Sequence, residues 1–196
     1  MGRPRVRNDE LRERLLDGAL RLAAEGGPGA VTTRAVAARA GSSLAALDEL
    51  FGGKGGLVQA MFVEGFDRLA AVMTALPPPP DPEAGILDMA DAFRAFALEH
   101  RQLFDVMFSR PFAELAAPEQ LAGYQATGRV IRARVDALLG PDVPPPARKD
   151  AALALNATLH GLARMELAGI LGSGPESITR RWRTATLATT RGLALG

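Results

Sequence analysis

Apolar residues recur at intervals of three and four along nearly the whole chain, and no stretch alternates apolar with polar at period two. That pattern predicts an all-α protein punctuated by glycine and proline. Leu11, Leu15, Leu16, Ala19, Leu22 and Ala23 form one face of a first helix. Its other face carries Arg12, Glu13, Asp17 and Arg21, and Gly26-Gly27-Pro28-Gly29 ends it. Thr32 or Thr33 then caps a short helix with Val36, Ala37 and Ala40 inward, and Gly41 stops it as a left-handed C-cap. Ser43 caps a second short helix with Leu47 and Leu50 inward, closed by Phe51-Gly52-Gly53. A long helix follows with Leu57, Met61, Gly65, Leu69, Val72 and Leu76 on its stripe, up to the run Pro77 to Pro80.

From there the helices lengthen and glycines thin out, which marks a second structural layer without an internal repeat. Asp81-Pro82-Glu83 opens a helix, with proline at the first helical position and acid in the first turn; Ile86, Ala90, Phe93 and Ala97 are its core stripe. A short helix spans about Leu103 to Phe108. After Arg110-Pro111 another begins near Pro118, with Leu121, Tyr124, Gly128, Ile131, Val135 and Leu138 inward. Gly140 to Pro146 reads as a stiff exposed connector. Two last helices run from about Arg148 to Leu171 and Glu176 to Leu193, separated by Gly172 to Pro175.

Composition narrows the classes of function. With 196 residues, 47% hydrophobic, and 23 Lys+Arg against 22 Asp+Glu, the chain is neither a disordered tail nor strongly polar. One compact domain, or two closely packed ones, is expected. The longest charge-free run, Ala151 to Ala163, has 13 residues, whereas a spanning helix needs roughly 20. No membrane partner is expected, and the basic start Met1 to Arg7 lacks a following apolar signal region, so the expected location is cytoplasmic. Zero Cys excludes disulfides and thiolate metal sites, and the two His lie sixty residues apart; no metal and no cofactor are expected. No nucleophile elbow, His-Glu-x-x-His, phosphate loop or dinucleotide fingerprint is present, so no enzyme is expected. Of the basic residues 21 are Arg and only Lys54 and Lys149 are Lys, a skew that codon bias also produces and that is weak evidence for nucleic acid.

Two short helices joined through Ala40-Gly41-Ser42-Ser43 after a longer first helix have the dimensions of a helix-turn-helix, whose second helix lies in the major groove. Any two short packed helices give a similar pattern. The stretches Arg14-Leu-Leu-Asp-Gly-Ala-Leu-Arg-Leu22, Thr32-Thr-Arg-Ala-Val-Ala-Ala-Arg-Ala-Gly41 and Phe51-Gly-Gly-Lys-Gly-Gly-Leu57, covering most of residues 8 to 60, resemble the TetR family of bacterial transcriptional regulators. The resemblance implies a three-helix DNA-binding domain over 1–53 and a larger helical ligand-binding and dimerisation domain over 54–196, with ligand binding releasing the operator. Phe93 to Phe108 and Leu159-His-Gly-Leu-Ala163 are similar to the C-terminal domain of the subgroup named for a Trp-His-Gly pattern, with Asn156 read at the Trp position.

The second helix departs from the family. Where the family commonly reads Ser, Lys or Arg, a small residue, Thr, an aliphatic, Tyr, a variable polar residue, Tyr and Phe, this chain has Ser43, Leu44, Ala45, Ala46, Leu47, Asp48, Glu49, Leu50 and Phe51. Leu47 and Phe51 preserve the inward face. The base-reading Lys and Thr and the phosphate-contacting Tyr are missing, and two carboxylates oppose the electrostatic part of DNA affinity. Expected DNA contacts are Thr33, Arg34, Ser43 and Lys54, with Arg3, Arg5 and Arg7 as a minor-groove arm or a solvated tail. Leu44, Ala45 and Ala46 can meet thymine methyls, and Asp48 or Glu49 can accept from a cytosine amino group or stand as a solvated helix end.

Seven of the eight Phe lie between Phe62 and Phe112, together with several Met, which suits either a core or an apolar pocket. The resemblance implies a cavity there, making Phe62, Phe66, Phe93, Phe96, Phe104, Met107, Phe108, Tyr124 and His160 the expected ligand contacts for a hydrophobic small molecule. Homodimerisation through the last two helices is expected at Ala152, Leu155, Leu159, Leu162, Ile178, Trp182, Ala185 and Leu193. The expected function is a ligand-responsive repressor acting on a double-stranded DNA operator. The rival is a helical small-molecule-binding protein of the same ancestry with lost or weak specific DNA binding.

Overall fold

The computed structural model describes residues 3–108 and 121–194, with side chains described over 8–108 and 121–192. Among the described residues the protein is built of helices without a strand. They are α1 (Arg3–Gly26), a 3-10 turn (Pro28–Ala30), α2 (Thr33–Arg39), α3 (Leu44–Phe51), α4 (Lys54–Thr74), α5 (Pro82–Glu99), α6 (Arg101–Phe108), α7 (Ala122–Leu139), α8 (Pro145–Leu167) and α9 (Pro175–Ala194). The helical class inferred from the three-and-four periodicity is therefore the observed one.

The helices gather into two compact units. One comprises Met1–Asp67 with His100–Ala122, the other Arg68–Glu99 with Gly123–Gly196, and the boundary falls inside α4. α6 and the first part of α4 share a core with the N-terminal helices. In that first unit Leu15, Ala19 and Ala23 of α1, Val36 of α2, Leu47 of α3, Leu57 and Met61 of α4, and Val106 of α6 form one buried cluster. Each Leu, Val and Met among them contributes roughly 1.5–3 kcal/mol by leaving water. Gly65 lets α4 and α6 approach: a Cβ there would stand 2.6 Å from Met107 Cγ and Sδ.

The second unit has its own core. α5 buries Ile86, Met89, Ala90, Phe93, Phe96 and Ala97, and packs on α8 and α9. α8 contributes Ala151, Ala152, Leu155, Leu159, Leu162 and Ala163, and α9 contributes Trp182, Thr186 and Thr190.

Four expectations are corrected. On α4 the buried stripe continues from Leu69 to Met73 at a spacing of four, which leaves Val72 about 100° away and exposed. On α7 the buried positions are Gly123, Thr127, Ile131 and Val135, so Tyr124 faces outward and is 43% exposed. The expected connector is partly helix: Pro144 is the N-cap of α8, and Pro145 and Pro146 occupy its first turn, where the missing N–H costs nothing. α8 ends at Leu167 rather than Leu171, closed by hydrogen bonds from Gly169 N to the Glu166 carbonyl and from Ile170 N to the Met165 carbonyl. The start near Pro118 falls outside the described residues. α1 already includes Arg3, so the backbone of the basic arm is helical; the side chains of Arg3, Arg5, Arg7 and Leu193 lie outside the described residues.

Candidate nucleic-acid interface and ligand-contact residues

The turn between α2 and α3 follows from local chemistry. Gly41 stands at φ +62, a conformation that suits glycine, and Ser42 N and Gly41 N donate to the Ala37 and Ala38 carbonyls. Thr32, not Thr33, caps α2: its Oγ1 accepts from Ala35 N at 3.2 Å. Ser43 Oγ accepts from Ala46 N at 3.1 Å, so this hydroxyl, expected at DNA, caps α3. Leu47 is fully enclosed and anchors α3 in the core. Arg39 adds a second tie: Nη1 and Nη2 donate to Glu25 Oε1 and Oε2 at 2.6 and 2.7 Å, latching α2 to the end of α1. That hydrogen-bonded guanidinium holds the Glu25 carboxyl below its usual range. Fourteen residues separate the pair, so no periodic signal marks it in the sequence.

The outward face of α3 consists of Leu44, Ala45, Asp48 and Glu49, with Ala46 half-buried. Leu44, at the first position of the helix, is 42% exposed. Asp48 is not equivalent to Glu49. A Cβ at Gly53 would lie 3.6 Å from Asp48 Oδ1, so this exposed carboxylate stands beside the residue that precedes α4. Arg34 and Lys54 are exposed at the first turns of α2 and α4, without an ion pair among the described residues, and Thr33 is half-buried. Residues 1–53 hold eight arginines against seven carboxylates, so the electrostatic attraction of this segment for phosphate is small.

The expected ligand contacts separate into two groups. In the first unit Phe62, Phe66, Phe104 and Phe108 form a chain of rings: centroids are 4.9 Å apart for Phe62 and Phe66, 5.5 Å for Phe66 and Phe108, and 4.7 Å for Phe104 and Phe108. Met107 is buried against Gly65 beside them. In the second unit Phe93 meets His160 edge-on at 5.0 Å, Phe96 is buried, and Tyr124 is turned outward. Burial pushes the His160 imidazole down to about 4, with Arg164 adding a smaller repulsion. It is neutral at physiological pH. A cleft of about 340 Å³ opens instead beside α1, lined by Arg14, Asp17, Gly18, Arg21, Glu25, Arg39 and Ala40 and by none of these nine residues. The charged residues around it were not singled out by the sequence pattern, since all stand at ordinary solvent-facing positions.

The residues expected at a dimer contact divide by burial. Ala152, Leu155, Leu159, Leu162 and Trp182 are buried within the chain's own core, because α5 lies against the same faces of α8 and α9. Ile178 and Ala185 are half-buried. On α8 the outward stripe is Leu153, Ala157, Gly161 and Met165, with Leu153 65% exposed. Beneath it Glu166 accepts from Arg94 Nε and Nη2 at 2.8 and 2.7 Å and from Trp182 Nε1 at 2.6 Å, joining three helices. No group that could hold a metal ion occurs among the described residues, and no helix there is long and apolar enough to cross a membrane.

Comparison with known proteins fits this geometry. A family model described as bacterial regulatory proteins, tetR family, matches residues 15–61, and one described as tetracyclin repressor-like, C-terminal domain, matches residues 86–188. The second match is to that domain and does not single out the Trp-His-Gly subgroup; moreover Leu159, not Asn156, directly precedes His160-Gly161. No curated protein matches the sequence significantly. Among solved structures, a protein of unknown function from Rhodococcus sp. RHA1 is similar at TM-score 0.78 and 28% identity, covering 94% of this chain and 95% of that one. A tetR-family regulatory protein from Rhodococcus RHA1 gives TM-score 0.69 at 22% identity over 92% and 97%. A TetR variant from Acinetobacter baumannii AYE, in complex with minocycline, gives 0.65 at 18% over 91% and 93%. With the helix-turn-helix built as described and the two models together spanning both ends of the sequence, the chain belongs to the TetR family of bacterial regulatory proteins, DNA-binding regulators of transcription.

Proposed function

We propose that the protein is a ligand-responsive transcriptional repressor that binds a double-stranded operator as a homodimer and releases it when an apolar small molecule binds. The observation that carries this reading is Val106. It belongs to α6, within the segment matched by the C-terminal family model, yet it lies in the same buried cluster as Val36 of α2 and Leu47 of α3. α6 also bears Phe104, Met107 and Phe108 of the aromatic chain. A ligand that displaces these rings acts on a helix whose other side is core for the DNA-binding pair. The minocycline complex of the Acinetobacter relative supports a small molecule as the effector. Dimerisation is assigned to the outward stripe Leu153, Ala157, Gly161 and Met165, where small residues permit close helix approach.

DNA binding in this reading is weak and strongly salt-dependent. Arg34 and Lys54 supply phosphate contacts, and the Arg3, Arg5 and Arg7 segment adds charge; half-site spacing of about 34–36 Å sets the register of the dimer. The near balance of charge over 1–53 and the acids of α3 favour one alternative, a ligand-binding protein that no longer reads an operator. The two are separated by selecting bound fragments from the source genome at low salt, then screening apolar compounds for release. Enrichment of defined fragments, released by a compound that also raises the melting temperature, is the expected result. Thermal stabilisation without any enriched fragment supports the alternative, and neither effect refutes both readings.

A further inference from the structure

The outward face of α3 has a chemistry of its own. Leu44 and Ala45 occupy its first turn, the part of a recognition helix that reaches base edges, and Glu49 follows Ala45 one turn later on the same face. No Lys, Arg, Asn or Gln stands on α3, so nothing on it donates to the N7 and O6 acceptors of guanine or pairs with both N6 and N7 of adenine. What it offers is an apolar surface and two exposed carboxylates, of which Asp48 stands beside Gly53 and Glu49 lies one turn beyond Ala45. In the major groove methyl groups belong to thymine, and the amino donors are cytosine N4 and adenine N6; the N7 acceptor beside adenine N6 repels a carboxylate, which leaves cytosine as its better partner. We propose that α3 reads pyrimidine edges, with Leu44 and Ala45 against thymine methyls and Glu49 accepting from the N4 amino group of cytosine.

Glu49 then works by exclusion. Beside phosphate it lowers affinity for every sequence, and it regains a hydrogen bond only opposite an amino group; facing guanine O6 or thymine O4 it meets another acceptor. Leu44 adds non-directional affinity wherever a methyl group covers it. Together they give discrimination without strong binding, which fits the small positive excess of the segment.

This inference rests on the reading of the protein as an operator-binding regulator, and its test keeps the two apart. Fragments bound by the full-length protein at low salt are sequenced, and the best site is resynthesised with deoxyuridine for each thymidine, which deletes the methyl and keeps base pairing. The expected loss is about fourfold for each methyl read, the equivalent of one buried methylene. Leu44→Ala should weaken the intact site while abolishing the difference between thymidine and deoxyuridine. Glu49→Gln should raise affinity for unrelated DNA and erase the preference at one cytosine position, worth tenfold or more in the parent protein. Leu47 and the Ser43 cap are untouched, so both variants should melt as the parent does. Tight sites indifferent to deoxyuridine, or a consensus of guanines contacted by α3, overturn this assignment while leaving the regulator intact. No bound fragment at all overturns the regulator reading and this one with it.

Discussion

Glu166 is the acceptor at the centre of the second unit, and removing it tests whether the contacts described there hold α5, α8 and α9 together. Its carboxylate takes three hydrogen bonds, two from Arg94 and one from the Trp182 indole, while Arg94 Nη1 donates to Thr179 Oγ1 at 2.9 Å and the guanidinium lies 5.8 Å from the Trp182 ring centre. The two charged side chains are 17% and 9% exposed, so water cannot replace the missing partner fully. Glu166→Ala leaves a guanidinium and an indole N–H inside the protein with little to bond. A buried pair broken on one side costs about 3–5 kcal/mol. In a chain of this size that corresponds to a fall of about 6–20 °C in Tm. Replacing both ends by apolar residues, Arg94→Met with Glu166→Leu, removes the stranded charge and leaves mainly the indole N–H unsatisfied, at about 1–3 kcal/mol. The double variant should therefore be more stable than Glu166→Ala. Urea and thermal denaturation followed by circular dichroism read both. A loss under about 1 kcal/mol for Glu166→Ala, or a double variant less stable than the single one, refutes the reasoning.

Three further outcomes are expected. His160 has its folded-state pKa lowered from 6.5 to about 4, so the unfolded chain takes up the proton first: stability should be full above pH 6.5 and decline by up to about 3 kcal/mol as pH falls to 4, and denaturation profiles of His160→Gln should lack that component. Gly65→Ala drives a methyl into Met107 and Leu103, and should lower stability by about 1–3 kcal/mol unless Met107 is shortened at the same time, which calorimetry of the single and paired variants measures. Leu153→Asp combined with Met165→Asp should convert the dimer to a folded monomer in sedimentation at micromolar concentration, whereas a change at the buried Leu155 should unfold the chain; an unaltered dimer in the first case refutes the interface.

The helical class, the order of the elements and most of their ends follow from local sequence alone. Local rules suffice for these: Ser43 caps the helix that follows it, Gly41 takes the left-handed conformation that stops a helix, and Pro82 starts one. The helix-turn-helix was equally legible, since its two short helices and their turn lie within some twenty consecutive residues and carry the family's spacing. Tertiary structure decided what a periodic stripe faces. Leu155, Leu159 and Trp182 have the pattern of an interface and of a core alike, and only the presence of α5 against them makes them core, leaving Leu153 and Met165 outside. It also decided which distant residues meet. Val106 joins the cluster around Leu47, Arg39 finds Glu25, and Arg94 finds Glu166 72 residues away, contacts with no local signature because hydrophobic burial and ion pairing depend on distance in space, not along the chain. The two adjacent acids of α3 make the same point at the smallest scale: both are exposed, and only Asp48 stands beside Gly53, where the chain turns back into α4.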